Sequence, residues 1–360
     1  MNASLSPLPA APAPFLLAWL LVALACALDR LVGDPQGLLH PVQLMGWAIA
    51  RLRRQAEAWA GDRPLPLRAA GVLITLLLVA FSALAGWSLE RLALLLPALG
   101  LPLLLIGLAS ALAGGSLRRA VWGVLAALPD LPQARRRLAW IVGRDVTGLE
   151  EAEILRAAAE TASENAVDGL FAPLFWMLVG AALWAWGLRA GGAAAWWGPR
   201  GLGTLAPGPL ALAWGFKAAS TLDSMLGYRQ GRLRWLGTAG ARLDDLLTWL
   251  PCRLVALSLP LAAGRPAAWG RWLRASLRDG APDPSPNAGL SQAAYAHAAG
   301  VRLGGLNRYA DGVRAKPLLA AAEPPADRAA VMRILALSDR LELLWLLVSG
   351  ALVLLLTCLD

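Results

Sequence analysis

Lysine, histidine and cysteine are scarce in this chain, and charge of any kind is thin. Only 16% of the 360 residues are charged, against about a quarter in soluble proteins. The hydrophobic share is 58%, and several apolar runs are long enough to cross a bilayer, so the chain reads as an integral membrane protein. Lys217 and Lys316 are the only lysines, so the net charge of +9 is carried almost wholly by arginine. On a membrane protein that excess points to topology and anionic headgroups. No basic tract interleaved with aromatics suggests a nucleic-acid partner. Cys26, Cys252 and Cys358 lie far apart in apolar runs, which excludes a cysteine metal motif and a disulfide framework. With His40 and His297 the only histidines, a Ser/His/carboxylate nucleophile is poorly supported, and His297 in its Ala-rich helix reads as packing. There is no Walker A sequence, no Gly-rich kinase loop and no HExxH. A cleaved signal peptide is not expected, because a positive n-region is missing.

The expected fold is all-α and polytopic, with about four to six membrane spans and additional amphipathic or cytoplasmic helices. Residues 1–14, rich in Pro and Ala, are expected to be disordered, and 15–360 to form a single membrane domain. Spans are expected at 15–28, 69–89, 92–113 (interrupted by Pro97 and Pro102), 170–188 and 341–358. The weakly apolar stretch 210–226 and the run 246–263 are ambiguous between span, re-entrant and interfacial helix. A loop is expected at 33–42, another at 189–209 and a third at 316–330. Arginines cluster at 30–68, 118–144, 229–278 and 302–340, and are poorer in the loops at 90–91 and 189–209. By the positive-inside rule the segments 29–68, 114–169, 227–245 and 264–340 face the cytoplasm and the N-terminus lies outside.

What is present is an acidic stripe. Glu160, Glu164 and Asp168 are four apart, and Glu153 lies seven before Glu160. On a helix all four fall within an arc of roughly 80°. Like charges at that spacing repel, so water, an arginine or a bound cation must offset them; Arg156, four before Glu160, is one candidate. A solvated acidic face is the plain alternative, but an apolar run follows at 172–179, and carboxylates at the foot of a span are costly unless used. Thr147-Gly148-Leu149-Glu150 reads as a capping box that starts this helix. Ser220-Thr221-Leu222-Asp223 reads as a second, which would break 210–226 near its middle. Ser285-Pro286 reads as an N-cap with Pro at the first helical position.

Four polar clusters thus interrupt the apolar chain: Asp34 with His40; Glu160, Glu164, Asn165 and Asp168; Lys217 and Asp223 with Arg242, Asp244 and Asp245; and Ser285 with Asn287. Oxygen donors with few thiols suit Mg²⁺ rather than Zn²⁺. Arginines and helix N-termini at Ser220 and Ser285 suit phosphate. These features point to a cytoplasm-facing, Mg²⁺-dependent site for a phosphate-bearing substrate. A transporter or ion-coupled carrier using Lys217, Asp223 and the acidic stripe is the competing class, although no internal repeat of the kind carriers show is visible. A scaffold for other enzymes is a third.

The strings GDPxxxxHPV (33–42), AETASENAVDGLFAPLF (159–175), KAASTLDSMLGY (217–228), ARLDDLLTWLPCRL (241–254) and SPNAG (285–289) occur in order over about residues 20–315. Together they resemble the membrane-bound cobalamin biosynthesis family, the adenosylcobinamide-phosphate or cobinamide synthases of CobD/CbiB type. Ser220 stands where an Asn is expected, and Pro284 where a His often precedes Ser-Pro-Asn. The resemblance implies a plasma-membrane enzyme that attaches aminopropanol, or its phosphate ester, to the propionate carboxyl of adenosylcobyric acid, with ATP as co-substrate and Mg²⁺ as cofactor. An assembly with itself or with other pathway enzymes is compatible with it. For that chemistry Glu160, Glu164, Asn165 and Asp168 are the expected catalytic residues. Asp34, His40, Arg144, Lys217, Arg242, Ser285 and Asn287 are expected to bind substrate or phosphate. Glu164, Asp168, Asp223, Asp244 and Asp245 are the candidate Mg²⁺ ligands.

Overall fold

A computed structural model describes residues 13–34, 37, 40–190, 205–309 and 312–358. Most of the expected N-terminal disorder, and of the loop at 189–209, lies outside the described residues. The chain runs α1 (Ala13–Val32), α2 (Pro41–Ala60), α3 (Pro64–Leu95), α4 (Pro97–Ala109), α5 (Gly114–Ala127), α6 (Leu131–Leu138) and α7 (Glu151–Ala166). A π-turn (Val167–Phe171) leads into α8 (Ala172–Ala190), α9 (Pro209–Leu226), α10 (Leu233–Leu236) and α11 (Thr238–Ala262). Then come α12 (Trp269–Gly280), α13 (Ala288–Ala299), a hairpin of β1 (Leu303–Tyr309) and β2 (Gly312–Leu319), and α14 (Arg328–Cys358).

The fold is helical, as composition requires. Among the described residues four helical runs are long and apolar enough to cross a membrane: Pro14–Val32, Pro64–Leu95, Glu151–Leu188 and Thr238–Ala262. A fifth arises if α4 and α5, bent by 41°, count as one span. The third run joins the acidic stripe and the apolar stretch after it into one continuous rod. α14 is outside this set, although its outer end exposes Leu347, Leu352 and Leu355. α9 is also outside it and packs between α3 and α8.

Several local expectations are corrected. No loop forms at 90–91, because α3 continues to Leu95. Glu90 can stay in the helix interior because its carboxylate accepts the N–H groups of Gly208 (2.8 Å), Leu210 (2.7 Å) and Ala211 (2.9 Å). These are the orphan donors at the start of α9. A Cβ on Gly86 would lie 2.8 Å from the backbone of Leu210 and Ala211, and one on Gly180 2.4 Å from the Gly208 carbonyl. Glycine on α3 and α8 therefore lets both backbones close on this helix end. The break after α3 falls at Leu96, and Pro97 takes the first position of α4, where its missing N–H is harmless.

The capping box lies three residues later than read: Glu150 is the N-cap of α7, and its N–H is accepted by Glu153 Oε2 at 3.1 Å. Thr147 instead closes a turn on Asp145. Ser220 lies inside an unbroken α9, so no helix N-terminus exists there. Ser285 Oγ accepts the N–H groups of Asn287 and Ala288 at the start of α13. The loop expected at 316–330 is corrected by β2, which runs to Leu319. The pairing Leu303↔Leu319, Gly305↔Lys316, Asn307↔Arg314 includes a bulge between Leu303 and Gly305. Gly304 and Gly305 take φ of 85° and 96° there, which only glycine adopts readily.

Candidate active site

The site is organised by the rod α7–π-turn–α8. Its π-turn inserts one extra residue into the helical repeat and frees carbonyls from the i→i−4 ladder. The Gly169 carbonyl accepts the Ala113 N–H at 2.8 Å, which docks the start of α5 against the rod. Asp168, in this turn, faces the same cleft as Glu164.

That cleft encloses about 740 Å³. Its carboxylates are Glu164 and Asp168 from the rod, Asp223 from α9 and Asp244 from α11; its one ammonium is Lys217 on α9. Four acids thus face one base, an arrangement that favours an added cation. Asp244 Oδ1 is buried with no hydrogen-bond partner among the described residues. Lys217 has no carboxylate at ion-pair distance there. Asn165 donates to Thr161 Oγ1 at 2.7 Å, and Thr161 Oγ1 donates to the Ile141 carbonyl at 2.6 Å. This chain fixes the loop between α6 and α7, which forms the cleft's outer wall. Trp140 in that loop is 89% exposed on the rim.

A smaller chamber of about 300 Å³ shares Ile141, Val142, Gly143, Glu164, Asn165 and Tyr228 with the large cleft. Its far wall carries Arg144, Glu160, Gln292, Asn307 and Lys316. Glu160 is paired with Arg144 and accepts the Gly304 N–H at 2.9 Å. Arg144 also donates to Asn307 Oδ1. Arg156 bonds the Gly304 and Leu306 carbonyls and Asn307, so Arg144, not Arg156, offsets the charge of Glu160. Glu164 accepts from Gln292. Lys316 lies 3.4 Å from Asp283. Burial would lower its ammonium, but Glu164 foremost, then Asp283, Tyr309 and Glu160, hold it above the usual lysine range.

Asp34 lies 3.2 Å from His40 Nε2 and accepts from Ser116 Oγ at 2.7 Å. Burial works to raise this carboxyl, but the bonds from His40 and Ser116 outweigh it and hold it below the usual range, with a further contribution from Lys217. His40 is also the N-cap of α2, its Nδ1 accepting the Val42 N–H. Ser116 itself lines the large cleft, so this pair stands behind its wall.

The remaining expected residues are elsewhere. Arg242 is exposed on α11 and lines neither cavity. Asp245 accepts from Ser285 Oγ at 3.3 Å, and its carbonyl accepts from Asn287 Nδ2 at 2.8 Å. Asn287 is buried and also accepts from Arg253 at 3.1 Å. Ser285, Asn287 and Asp245 therefore staple the start of α13 to α11. Glu153 remains at the cap of α7, away from the cleft. Lys316, Gln292, Asn307 and Tyr228 were missed; the rarity of lysine was the one available signal for Lys316.

Among the described residues no three His, Cys, Asp or Glu side chains converge closely enough to enclose a metal. The donors nevertheless suit Mg²⁺ in its usual mode, one or two carboxylates completed by substrate phosphate and water. The orphaned Asp244 oxygen beside Asp168 and Asp223 is the feature that fits it.

The CobD/Cbib protein family profile matches residues 22–338. A "Cobalamin biosynthesis protein CobD" of Synechocystis sp. is 39% identical over 345 residues, 94% of this chain and 93% of the relative. One of Geobacter metallireducens is 38% identical, over 94% and 98%. A "Cobalamin biosynthesis protein CbiB" of Salmonella typhi is 37% identical, over 82% and 83%. This chain belongs to the CobD/CbiB family. It is a membrane protein with a role in cobalamin biosynthesis. No solved structure matches it. The acidic rod, the α9 and α11 carboxylates and Lys217 all fall inside the matched region.

Proposed function

We propose that the chain is an ATP-dependent ligase that joins aminopropanol, or its phosphate ester, to the propionate carboxyl of adenosylcobyric acid. The observation that carries this reading, given the family, is the acidic cleft with its single half-buried ammonium, continuous with a smaller polar chamber through Glu164 and Asn165.

A carboxylate is a poor electrophile and must be activated before an amine attacks it. In the balanced reaction the propionate oxygen attacks the terminal phosphorus of ATP, giving an acyl phosphate and ADP. The neutral amine nitrogen then attacks the carbonyl, the amide C–N bond forms, and phosphate leaves with the C–O electron pair. Two protons leave the ammonium in sum, one before attack and one after. Glu164, at the junction of the two chambers, is the base for the amine. Asn165 orients the carbonyl beside it. Lys217 steers the transferring phosphoryl group from the floor of the large cleft. Asp244, with one of its neighbours Asp168 and Asp223, would hold Mg²⁺ completed by substrate phosphate and water, and the ion would neutralise phosphoryl charge. Glu160 and Arg144 act differently, as positioning residues that fix the hairpin wall of the small chamber. A cytoplasm-facing site, where ATP is available, is supported by the arginine-rich segments around it.

The test is product analysis. Detergent-purified protein is incubated with adenosylcobyric acid, ATP, Mg²⁺ and either amine, and the products are weighed by mass spectrometry. ATP-dependent appearance of the amide supports the ligase. Corrinoid left unchanged with both amines, while proteoliposomes of the same protein move solute, would establish a carrier instead.

A further inference from the structure

α12 is strongly two-faced. Arg271, Arg274 and Arg278 fall within about 60° of one another on the helical wheel. Ser276 and Gly280 are buried on the opposite side, and Leu273 there packs against the main core. The basic face opens onto a cleft of about 710 Å³ lined by the three arginines, Trp272, His297 and Glu323. Glu323 is the only carboxylate in that lining. Asp279 divides its oxygens: Oδ2 bonds His297 at 2.9 Å and the Ala320 N–H at 3.2 Å, and Oδ1 faces Arg278. Arg271 makes no hydrogen bond or ion pair among the described residues, and Arg274 reaches only the Gly270 carbonyl of its own helix. Arg278 is paired with Asp279 at 2.9 Å, which leaves Arg271 and Arg274 without a counter-charge among the described residues.

The depth of α12 is fixed by two tryptophans. Trp345 Nε1 donates to Ser258 Oγ on α11 at 3.0 Å, in the first turn of the exposed apolar stretch of α14, which begins at Leu343. Trp269 Nε1 donates to the Leu257 carbonyl at 2.9 Å, one residue away on α11. The start of α12 therefore sits at the level where the apolar belt begins, with Leu261 and Trp269 exposed beside it. Indoles at that level and arginines above it are the arrangement of an interfacial helix.

We propose that the α12 cleft binds the phosphate headgroup of an anionic phospholipid, which seats this end of the α12–α13–hairpin unit on the membrane surface. The Arg271 and Arg274 guanidinium groups supply forked donors for one phosphodiester, Arg278 adds its charge beside them, Trp272 in the cleft lining covers the glycerol region, and the charge is complementary to an anionic leaflet.

Purified protein is exchanged into nanodiscs of equal phosphatidylglycerol and phosphatidylcholine, extracted in mild detergent, and its co-purifying lipid is counted. The wild type is expected to retain phosphatidylglycerol over phosphatidylcholine, and Arg271→Gln/Arg274→Gln/Arg278→Gln to lose about tenfold of that enrichment. The charge-preserving Arg→Lys triple variant should keep most of it. Unchanged enrichment in a Gln variant that melts like the wild type in phosphatidylcholine overturns the proposal. So does displacement of the lipid by millimolar inorganic phosphate, which would make the occupant a free anion. If the triple Gln variant fails to fold, Arg271→Gln alone, which breaks no contact within the protein, decides between the same outcomes.

Discussion

Replacing Glu160 separates a positioning role from a catalytic one. The side chain is 5% exposed, and its two oxygens are committed: one to Arg144, whose side chain is itself only 9% exposed, the other to the Gly304 N–H. Glu160→Ala leaves a buried guanidinium without its counter-charge and orphans a backbone donor. Breaking a buried pair from one side costs about 3–5 kcal/mol, and an orphaned donor alone about 1–3 kcal/mol. The two overlap in one side chain, so the expected loss is about 3–5 kcal/mol in total. Glu160→Gln keeps an acceptor but not the charge, and is expected to cost about 1–3 kcal/mol. Arg144→Met added to Glu160→Gln removes the uncompensated cation, so the double variant should cost less than the sum of the two singles. Thermal or denaturant unfolding in one detergent reads these differences. Turnover per folded molecule at a temperature where Glu160→Gln is intact should stay within about threefold of wild type, since general acid–base loss would be about a hundredfold or more. A cost below about 1 kcal/mol for Glu160→Ala, or a Glu160→Gln enzyme that is stable but inactive, would refute the reasoning.

Four other outcomes are expected. Glu90→Ala orphans three buried N–H groups at the start of α9; it should destabilise by at least about 3 kcal/mol, whereas a surface-like change in melting below about 0.5 kcal/mol would contradict the described packing. Asp244→Asn should lower kcat by about a hundredfold or more and raise the Mg²⁺ concentration for half-maximal rate, read from magnesium titrations; an unchanged titration removes Asp244 from the metal set. Trp140→Ala, on the exposed rim, should raise KM for the corrinoid by about three- to tenfold with kcat and melting unchanged. For Lys316, whose value is raised on folding, the stabilisation is complete below the ordinary lysine value of about 10.4 and is lost as pH rises through the higher folded value. Lys316→Met should therefore flatten the alkaline limb of the melting profile, and an unaltered limb would show that the ammonium is not held by Glu164 and Asp283.

Much of the membrane architecture was legible because hydropathy alone dictates it: long apolar helices must bury or face lipid. The acidic rod was legible because 3.6-residue periodicity places Glu160, Glu164 and Asp168 together. Tertiary contacts decided the rest. Nothing local in Glu160 tells that Arg144 and a hairpin amide will occupy it, or that its neighbour Glu164 will face the cleft. The hairpin was hidden because Gly304, Gly305 and Pro317 read as loop residues, and only the positive φ of the glycines makes a bulged strand of them. Ser220 carried a convincing capping pattern, overridden by a helix already capped at its start, at Gly208, Leu210 and Ala211, by Glu90 from another helix. Ser285 and Asn287 stood out as a polar motif for a good reason, but the reason is the joint between α11 and α13.

The central claim is that the acidic cleft carries out amide formation with Glu164 at its junction. The most direct measurement is single-turnover amide formation by purified Glu164→Gln, which preserves the shape and a polar contact to Gln292 while removing the base. The account predicts wild-type folding, corrinoid binding intact and a rate of amide formation lower by about a hundredfold to ten-thousandfold. An undiminished rate in that variant would contradict it.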